Sequence, residues 1–257
     1  MQRPRTALTI AGSDPTGGAG FQADLRTFHS MGVYGLSVPA VLTAQNTEGV
    51  HCVHELTADF VSEQMEVLLR DIRPDAVKTG MLYSSDTIQV IASKVGEYSL
   101  DRLVIDPVTV SSTGVMLVEE KGVEIIRDVL FPLAKVITPN IYEAGVFTGM
   151  EIISPDDMKG AAIKLKDLGP ETVIITGGHL KDKAIDMLFD GEEFVFIENE
   201  RLEGEFHGTG CVFSASITAG LALGYNAKEA FIKAKDFTYN AMRDSISVGI
   251  GMKLLYF

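Results

Sequence analysis

Short runs of β-branched and apolar residues alternate with longer segments of helical periodicity, and this alternation constrains the fold more than any other feature. The predicted strands are Ala7–Ala11, Val38–Thr43, Ala76–Lys78, Leu103–Ile105, Val136–Ile137 and Val173–Thr176. The predicted helices are Phe21–Met31, Ala58–Ile72, Asp86–Val95, Glu120–Leu130, Asn140–Thr148, Pro155–Leu168, Gly210–Leu223 and Ala227–Val248. Alternating strands and helices predict a mostly parallel sheet covered by helices on both faces, a three-layer α/β/α sandwich.

One edge of this sheet is predicted to be antiparallel. Asp190-Gly191 separates two apolar runs, Ala184–Phe189 and Glu193–Ile197, and this pair is typical of a tight hairpin turn. No linker, internal repeat or low-complexity tract divides the chain. We therefore expect one domain over residues 1–257, a length within the range of a large α/β domain.

Composition and charge narrow the function classes. The formal net charge of −13 disfavours nucleic-acid binding, which needs clustered Lys and Arg. No apolar run approaches the roughly 20 residues that span a bilayer, and the basic start, Met1–Arg5, lacks a signal-peptide core. Two cysteines are too few for a disulfide framework. We therefore expect a soluble, cytoplasmic protein, and a small anionic ligand held by backbone N–H groups and a metal is compatible with the charge.

A glycine-rich turn opens the helix predicted after the hairpin. Its sequence is Phe206-His207-Gly208-Thr209-Gly210-Cys211. Glycines allow close approach of a ligand, and a helix start offers unpaired N–H groups and a positive dipole end, so the turn is a candidate anion site. There the pKa of Cys211 is expected to fall. The alternative is a glycine-rich helix start that only packs against a strand, with Cys211 as a small buried residue.

A second glycine-rich loop, residues 12–20, joins the first predicted strand to the first helix. Asp24 follows about one helical turn inside that helix. The loop is interpreted either as a simple connection or as a segment that closes on a ligand, with Asp24 accepting hydrogen bonds from an amino-substituted ring. Its position after the first strand favours the ligand, because open α/β sheets bind ligands at the carboxyl ends of their strands.

These motifs and several others occur together in a fixed order. They are Leu8-Thr9-Ile10-Ala11-Gly12-Ser13-Asp14, Gly17-Gly18-Ala19-Gly20-Phe21-Gln22-Ala23-Asp24-Leu25, Ala44-Gln45-Asn46-Thr47, Lys78-Thr79-Gly80-Met81-Leu82, Ile105-Asp106-Pro107-Val108, Thr138-Pro139-Asn140 with Glu143-Ala144, Gly177-Gly178-His179 and His207-Gly208-Thr209-Gly210-Cys211. From residue 8 to about 216 the chain resembles the hydroxymethylpyrimidine kinase / hydroxymethylpyrimidine phosphate kinase family of thiamine biosynthesis, which has the ribokinase-like fold.

The resemblance implies ATP-dependent phosphorylation of 4-amino-5-hydroxymethyl-2-methylpyrimidine and of its monophosphate. It places around the pyrimidine Gly12, Asp24, Gln45, Met81, Val108 and Cys211. It also implies that Cys211 stands where related sugar kinases have a catalytic aspartate, which makes it the candidate base. Because loose phosphoryl-transfer transition states need little base assistance, the backbone of Gly208, Thr209 and Gly210 is expected to contribute more than the thiol.

The resemblance further implies a nucleotide and a metal site. Around the nucleotide it places Asn140, Thr176, Gly178 and His179, the last in a secondary role. Asp106 and Glu143 are expected near Mg²⁺, through water. The Asn140–Glu143 spacing is also that of a plain capping box, which is the alternative. The family usually forms homodimers, so a homodimer is expected.

The chain departs from the family pattern at three places. Thr109-Val110-Ser111-Ser112-Thr113-Gly114 stands where the family commonly has Met and an Ala-Lys-Ser-Gly stretch, Thr176 stands where many relatives have lysine, and the tail at residues 248–253 lacks the usual Gly-Pro and histidine. The missing cations bear most on the second phosphorylation, whose substrate is an anion. The candidate replacements are Lys78, Lys181 and Lys183.

Two other functions remain open. A pyridoxal or pyridoxine kinase is the nearest alternative, because that ring also carries a hydroxymethyl group. A pyrimidine-binding regulator without catalytic turnover is the other, and the missing lysines motivate it.

Overall fold

The computed structural model describes residues 3–110, 116–178 and 184–257. Within them one large sheet has nine strands: β1 Thr6–Gly12, β2 Tyr34–Asn46, β3 Gly49–Glu55, β4 Ala76–Thr79, β5 Leu103–Ile105, β6 Val136–Ile137, β7 Thr172–Gly177, β8 Ala184–Phe189 and β9 Phe194–Asn199. The described helices are α1 Gly20–Ser30, α2 Ala58–Asp71, α3 Ser85–Glu97, α4 Glu120–Ile125, α5 Ile141–Thr148, α6 Pro155–Lys166, α7 Thr209–Leu223 and α8 Ala227–Arg243. A π turn and a 3₁₀ turn continue α4 to Leu133.

The strand order is β3-β2-β1-β4-β5-β6-β7-β8-β9. The neighbouring pairs from β2 to β7 are parallel, whereas β2–β3, β7–β8 and β8–β9 are antiparallel. The mostly parallel sheet and the antiparallel edge at β8 and β9 confirm the prediction. Strand β3, which makes the opposite edge antiparallel as well, was not predicted.

The two faces of the sheet are buried by different helices. Side chains alternate along a strand, so Leu8 and Ile10 of β1 join one core while Ala7 joins the other. The first core includes residues of α2, α3, α5 and α6. The second includes Phe28 of α1, Phe231 of α8 and much of α7. This arrangement is the predicted three-layer sandwich.

Polar residues set the starts of several helices. At α2, Thr57 accepts a hydrogen bond from the N–H of Phe60 at 3.3 Å. At α6, the Ser154 hydroxyl accepts from the N–H of Asp157 at 3.2 Å, and Pro155 occupies the first turn. Such caps satisfy N–H groups that have no partner inside the helix.

Helix α8 ends at Arg243, so the predicted end at Val248 was wrong. The chain turns back after the helix, and Ile246 pairs with Leu254 in both directions at 2.9 Å. Backbone pairing of this tail with the rest of the fold outweighs the helical pattern of the sequence.

The tail is held by contacts with distant parts of the chain. Strand β11, Lys253–Leu254, pairs in parallel with β10, Phe206–His207, immediately before α7. Gly251 packs on the turn between β2 and β3, where a Cβ would lie 2.1 Å from the carbonyl oxygen of Thr47. The tail therefore joins the β2–β3 hairpin to the start of α7.

Among the described helices, none combines the length and apolar character that a bilayer crossing requires.

Candidate active site

The carboxyl ends of the parallel strands lie along one edge of the sheet, and predicted substrate residues follow two of them. A Cβ on Gly12, at the end of β1, would lie 3.3 Å from the sulfur of Met81, which follows β4. Strand β5 leads into Asp106, whose carbonyl oxygen accepts the N–H of Val108 at 2.9 Å. The structure therefore brings Gly12 and Met81 into contact and places Val108 beside the acidic end of β5.

The two glycine-rich turns of the sequence meet backbone to backbone. Gly208 has a φ of 82°, and a Cβ there would lie 1.8 Å from the carbonyl oxygen of Gly18. Gly20 has a φ of 61°, and its Cβ would lie 2.5 Å from the carbonyl oxygen of Gly12. Only glycine permits both the left-handed conformation and the close approach. The loop of residues 12–20 is therefore packed directly against the start of α7.

The first turn of α7 presents backbone donors without a capping side chain. Gly208 is its N-cap, and no described side chain caps it. The first intrahelical bond runs from the N–H of Val212 to the carbonyl of Gly208 at 3.0 Å. A Cβ on Gly210 would meet no described atom within 4 Å, so this position opens onto free space. Unpaired N–H groups beside open space at a helix start are suited to bind an anion.

A buried lysine lies behind this turn. Nζ of Lys78 lies 2.9 Å from both carboxylate oxygens of Asp24 and 3.7 Å from Oδ2 of Asp106. Burial alone would lower the pKa of Lys78, but the neighbouring charges, that of Asp24 first, raise it above its ordinary value. Asp24 is 0% exposed and also accepts the Thr9 hydroxyl at 2.6 Å. Asp24 therefore holds Lys78 here, and its direct contact with a ring stays a prediction.

Cys211 lies partly buried beside this cluster. Burial raises the pKa of its thiol to about 12; the charge of Lys78 opposes this increase, whereas those of Asp106 and Asp24 add to it. The expectation of a lowered pKa was wrong, because loss of water outweighs the favourable helix start and the lysine. The thiol is protonated at neutral pH, and its role as a base stays a prediction.

Two acidic side chains, those of Asp106 and Glu143, lie close enough to interact. Asp106 accepts the Ser214 hydroxyl at 2.8 Å. Glu143 accepts the N–H of Asn140 at 2.9 Å, and the Asn140 side chain accepts the N–H of Glu143 at 3.0 Å, which is a complete capping box. Burial, and then the charge of Asp106, raise the pKa of Glu143 to about 8. Glu143 therefore caps α5 and also interacts electrostatically with Asp106.

These two carboxyl groups fit a bound Mg²⁺ ion. A cation near them would offset the repulsion that raises the pKa of Glu143. The described residues hold no cluster of three or more His, Cys, Asp or Glu side chains able to bind a metal ion. Mg²⁺ does not need such a cluster, since it commonly keeps several waters and takes one or two carboxylates beside phosphate oxygens.

A cleft of about 760 Å³ opens beside residues that were predicted to bind the nucleotide. Predicted residues from two strands line it, since Asn140 after β6 pairs with Thr176 at the end of β7, and Gly178 follows. Thr209 and Gly210 line it from the start of α7. The glycine-rich turn at the start of α7 thus forms part of the cleft wall.

The cations at this edge differ from those expected. Three predicted residues lie outside the described ranges: His179, Lys181 and Lys183. Lys78 is at the edge but fully buried. Lys235, which the sequence did not single out, lines the cleft from α8 and pairs with Asp186 at 2.8 Å.

Sequence reasoning also missed a polar chain that includes Gln45. Asp14 lies 2.8 Å from Nε2 of His207, and that nitrogen lies 3.0 Å from the Gln45 amide. The available signal was the Asp14-Pro15-Thr16 spacing, which is typical of an Asx turn. Asp14 accepts the N–H of Thr16 at 2.9 Å, as such a turn requires. Gln45 is therefore linked through His207 to Asp14 of the glycine-rich loop.

Comparisons with known proteins relate this geometry to a family. The family model described as phosphomethylpyrimidine kinase matches residues 14–255. The hydroxymethylpyrimidine/phosphomethylpyrimidine kinase of Bacillus subtilis is 44% identical over 248 residues, which are 95% of this chain and 92% of that protein. The thiamine biosynthesis bifunctional protein ThiED of Geobacter sulfurreducens is also 44% identical over 248 residues, 96% of this chain and 51% of that longer protein.

A solved structure matches the fold as well. The ADP complex of Bacillus subtilis pyridoxal kinase superposes with a TM-score of 0.91 at 40% identity, covering 98% of this chain and 97% of that one. Together with the family match over residues 14–255, this similarity extends across almost the whole chain. The chain therefore belongs to the phosphomethylpyrimidine kinase family, whose members have the ribokinase-like α/β fold.

Proposed function

We propose that this chain transfers the γ-phosphoryl group of ATP to the hydroxymethyl group of 4-amino-5-hydroxymethyl-2-methylpyrimidine, and then to the monophosphate, in thiamine diphosphate biosynthesis. The observation that carries the proposal is the position of the start of α7. It borders the cleft through Thr209 and Gly210. It borders the Gly12 loop through Cys211, which receives a hydrogen bond from the backbone of Gly20. Nucleotide and alcohol would meet at this turn.

The backbone amides would supply the main stabilisation of the transferring group. Its negative charge spreads over the equatorial oxygens, and preorganised donors in a site with little water stabilise that charge strongly. Mg²⁺, held by Asp106 and Glu143 through water, would neutralise further phosphate charge. Lys78 adds a fixed positive charge behind the turn, and its bonds to Asp24 keep it in place.

The names of relatives support both the reaction and its nucleotide. A relative that is 44% identical is named for the two pyrimidine phosphorylations, and the matched pyridoxal kinase was solved with ADP. Pyridoxal is the second candidate substrate, because that solved relative is 40% identical to this chain and acts on a ring that also bears a hydroxymethyl group. The pyrimidine is preferred because the family model is described as phosphomethylpyrimidine kinase.

An ADP-release assay decides between the candidates. Hydroxymethylpyrimidine, its monophosphate and pyridoxal are each offered with ATP and Mg²⁺, and kcat/KM is compared. We expect the free pyrimidine to have the highest value. A higher value for pyridoxal would reverse the choice of substrate. Tight pyrimidine binding without ADP release would instead identify a regulator.

The second phosphorylation tests how the missing lysines are compensated. The monophosphate brings another anion to a chain of net charge −13. Lys78 is buried and bound to Asp24, so among the described residues we propose that backbone amides, together with Mg²⁺, hold this group. A KM for the monophosphate that falls as Mg²⁺ increases would support this account, and one that does not depend on Mg²⁺ would oppose it.

We further propose a homodimer, as the family resemblance implies. Edge strands present unpaired backbone groups, and β3 is an edge strand whose side chains are partly or fully exposed. Light scattering at micromolar concentration should give twice the mass of 27.8 kDa. A monomer mass would refute this proposal without affecting the proposed reaction.

A further inference from the structure

Asp14 is a buried carboxylate that only accepts hydrogen bonds. It is 2% exposed and receives the N–H and the hydroxyl of Thr16 at 2.9 and 2.8 Å. It also receives the N–H of Ala19 at 2.8 Å. Burial alone would raise its pKa, but the hydrogen bond from His207 and those from Thr16 hold the pKa below its ordinary value. Asp14 is therefore ionised, and it has no proton to give.

The protonation of one imidazole nitrogen follows. Nε2 of His207 lies 2.8 Å from Oδ2 of Asp14, and two acceptors do not approach so closely without a proton between them. Because Asp14 is ionised, that proton is on Nε2, whether or not the other ring nitrogen is also protonated. The same nitrogen lies 3.0 Å from one end of the Gln45 amide. A protonated Nε2 has no lone pair that could accept an N–H of the amide, so the end of the amide that faces it is the oxygen, and Asp14 and Gln45 share the one proton.

The Thr43 hydroxyl constrains the other end of the Gln45 side-chain amide. The Thr43 hydroxyl donates its single proton to the carbonyl oxygen of Ser13 at 2.8 Å. It also lies 3.3 Å from the Gln45 side-chain amide, toward which it can offer only a lone pair. The amide group that fits a lone pair is the NH₂ group. His207 and Thr43 thus require the same orientation of Gln45 from opposite sides.

We propose that His207 and Thr43 fix the Gln45 amide with its oxygen on the imidazole, so that its nitrogen faces outward and reads a hydrogen-bond acceptor on the substrate ring. The NH₂ group has two N–H bonds. One donates a hydrogen bond to the Thr43 hydroxyl, and the other can donate to the ligand. Gln45 then recognises a ring nitrogen and not the exocyclic amino group, which is itself a donor. His207 acts through Gln45 and is a positioning residue.

This inference rests on the proposed function for the identity of the ring, and a ligand series tests it. Calorimetry without nucleotide compares the parent pyrimidine with two deaza analogues, in which CH replaces one or the other ring nitrogen, and with an analogue that lacks the amino group. For wild type, one deaza analogue should bind about 5- to 10-fold more weakly than the parent, the usual effect of one lost hydrogen bond.

Variants then show whether His207 acts through Gln45. His207→Leu should weaken the parent by about 5- to 10-fold and leave that deaza analogue unchanged. It should have no further effect in a Gln45→Ala background. His207→Gln, whose amide protons can reach both Asp14 and the Gln45 oxygen, should restore most of the affinity. Gln45→Glu, an acceptor of the same length, should bind the parent as weakly as Gln45→Ala or more weakly.

Two outcomes would overturn the inference. Equal losses for every ligand in His207→Leu would indicate a merely structural role. If His207→Leu left the affinity unchanged only for the analogue that lacks the amino group, the amide oxygen of Gln45 would face outward.

A readout without substrate keeps this inference separate from the proposed function. In ¹⁵N-labelled protein without ligand, Thr43→Val should shift one side-chain amide proton of Gln45, because the acceptor of that proton is removed. If Thr43→Val leaves both amide protons unchanged, the proposed orientation is wrong even in an active kinase. If the shift occurs but no pyrimidine binds, the orientation stands and the proposed substrate fails.

Discussion

Gly210 and Cys211 are neighbours on the first turn of α7, yet their surroundings differ. A side chain on Gly210 would enter open space at the cleft wall. Burial raises the pKa of the Cys211 thiol to about 12, and the charge of Lys78 only partly opposes this increase. The amide backbone is ready to bind an anion at neutral pH, whereas the thiol is not ready to accept a proton.

We therefore expect Gly210→Val to lower kcat/KM by about 10²- to 10³-fold, the effect of blocking preorganised donors, and Cys211→Ala by about tenfold. Both variants should melt close to wild type, since a Cβ at position 210 meets no described atom within 4 Å. Steady-state ADP release and thermal melting measure these effects. Equal losses of kcat/KM would contradict the ranking of the backbone above the thiol.

Lys78 is a second residue whose effect can be isolated. Lys78→Met should lower the free energy of unfolding by about 3–5 kcal/mol, because Asp24 is left buried without its counter-charge. Adding Asp24→Asn removes that charge and should restore part of the loss. Urea unfolding of the single and double variants gives the comparison. An unchanged free energy of unfolding in Lys78→Met would show that the buried pair contributes little to stability.

At the scale of the element, the start of α5 combines a structural cap with an acid–base property. Glu143 closes the capping box with Asn140, so helix geometry fixes its position. That position is buried and near Asp106, so its carboxyl keeps its proton to a higher pH than an ordinary glutamate. The cap thus delivers a titratable group to the proposed Mg²⁺ site.

This property predicts a pH dependence of stability. The pKa of Glu143 is raised from 4.5 to about 8, so the folded chain binds a proton that the unfolded chain has lost between these values. The contribution of Glu143 to the free energy of unfolding therefore falls as pH rises from about 4.5 to about 8, by at most about 1.4 kcal/mol per pH unit. Glu143→Gln keeps a capping side chain and should flatten the dependence.

Urea unfolding at about pH 5.5 and about pH 7.5 measures the slope, with Asp156→Asn at the exposed start of α6 as the matched control. Mg²⁺ should also reduce the slope in wild type, because a cation favours the ionised carboxyl. An unchanged slope in Glu143→Gln would place the pH dependence elsewhere in the chain.

Element patterns in the sequence located most strands and helices, but three features escaped them. Strand β3 lies at an edge of the sheet, and its side chains are partly or fully exposed, so it has no buried stripe. The end of α8 depends on pairing of Ile246 with Leu254, a tertiary contact that no local pattern shows. The high pKa of Cys211 depends on water excluded by packing, whereas the sequence shows only the favourable helix start.

At the scale of the whole molecule, the strand order places residues that are distant in sequence at one edge. The motifs around Gly12, Asp106 and Asn140 could be predicted as a group because carboxyl ends of parallel strands converge, and the family resemblance added the motif around Gly210. The separate contacts and roles of the individual residues could not be predicted. The sequence does not show that Asp24 would face Lys78, nor that His207 would bridge Asp14 and Gln45.

The tail gives a test at this scale. Leu254 and Leu255 are 6% and 1% exposed, and Arg26 donates to the carbonyl of Leu255 at 3.3 Å. Deleting residues 253–257 should cost about 3–5 kcal/mol from the two leucines and sharply lower activity, because Leu254 supports the Gly18 loop. Chemical unfolding and ADP release measure both effects.

The exposed Tyr256 supplies the control, since Tyr256→Ser should change stability by no more than about 0.5 kcal/mol. A deletion as stable and active as this control would show that the tail is dispensable.

The backbone contact between Gly18 and Gly208 also has a consequence for synthesis. When the loop of residues 12–20 first emerges from the ribosome, it has no partner to pack against. The turn at Gly208 is then still in the exit tunnel or has not yet been synthesised. Turnover would thus begin only after residues near 254 emerge and pair with β10. Such timing would keep a half-made polypeptide from hydrolysing nucleotide in competition with the finished protein.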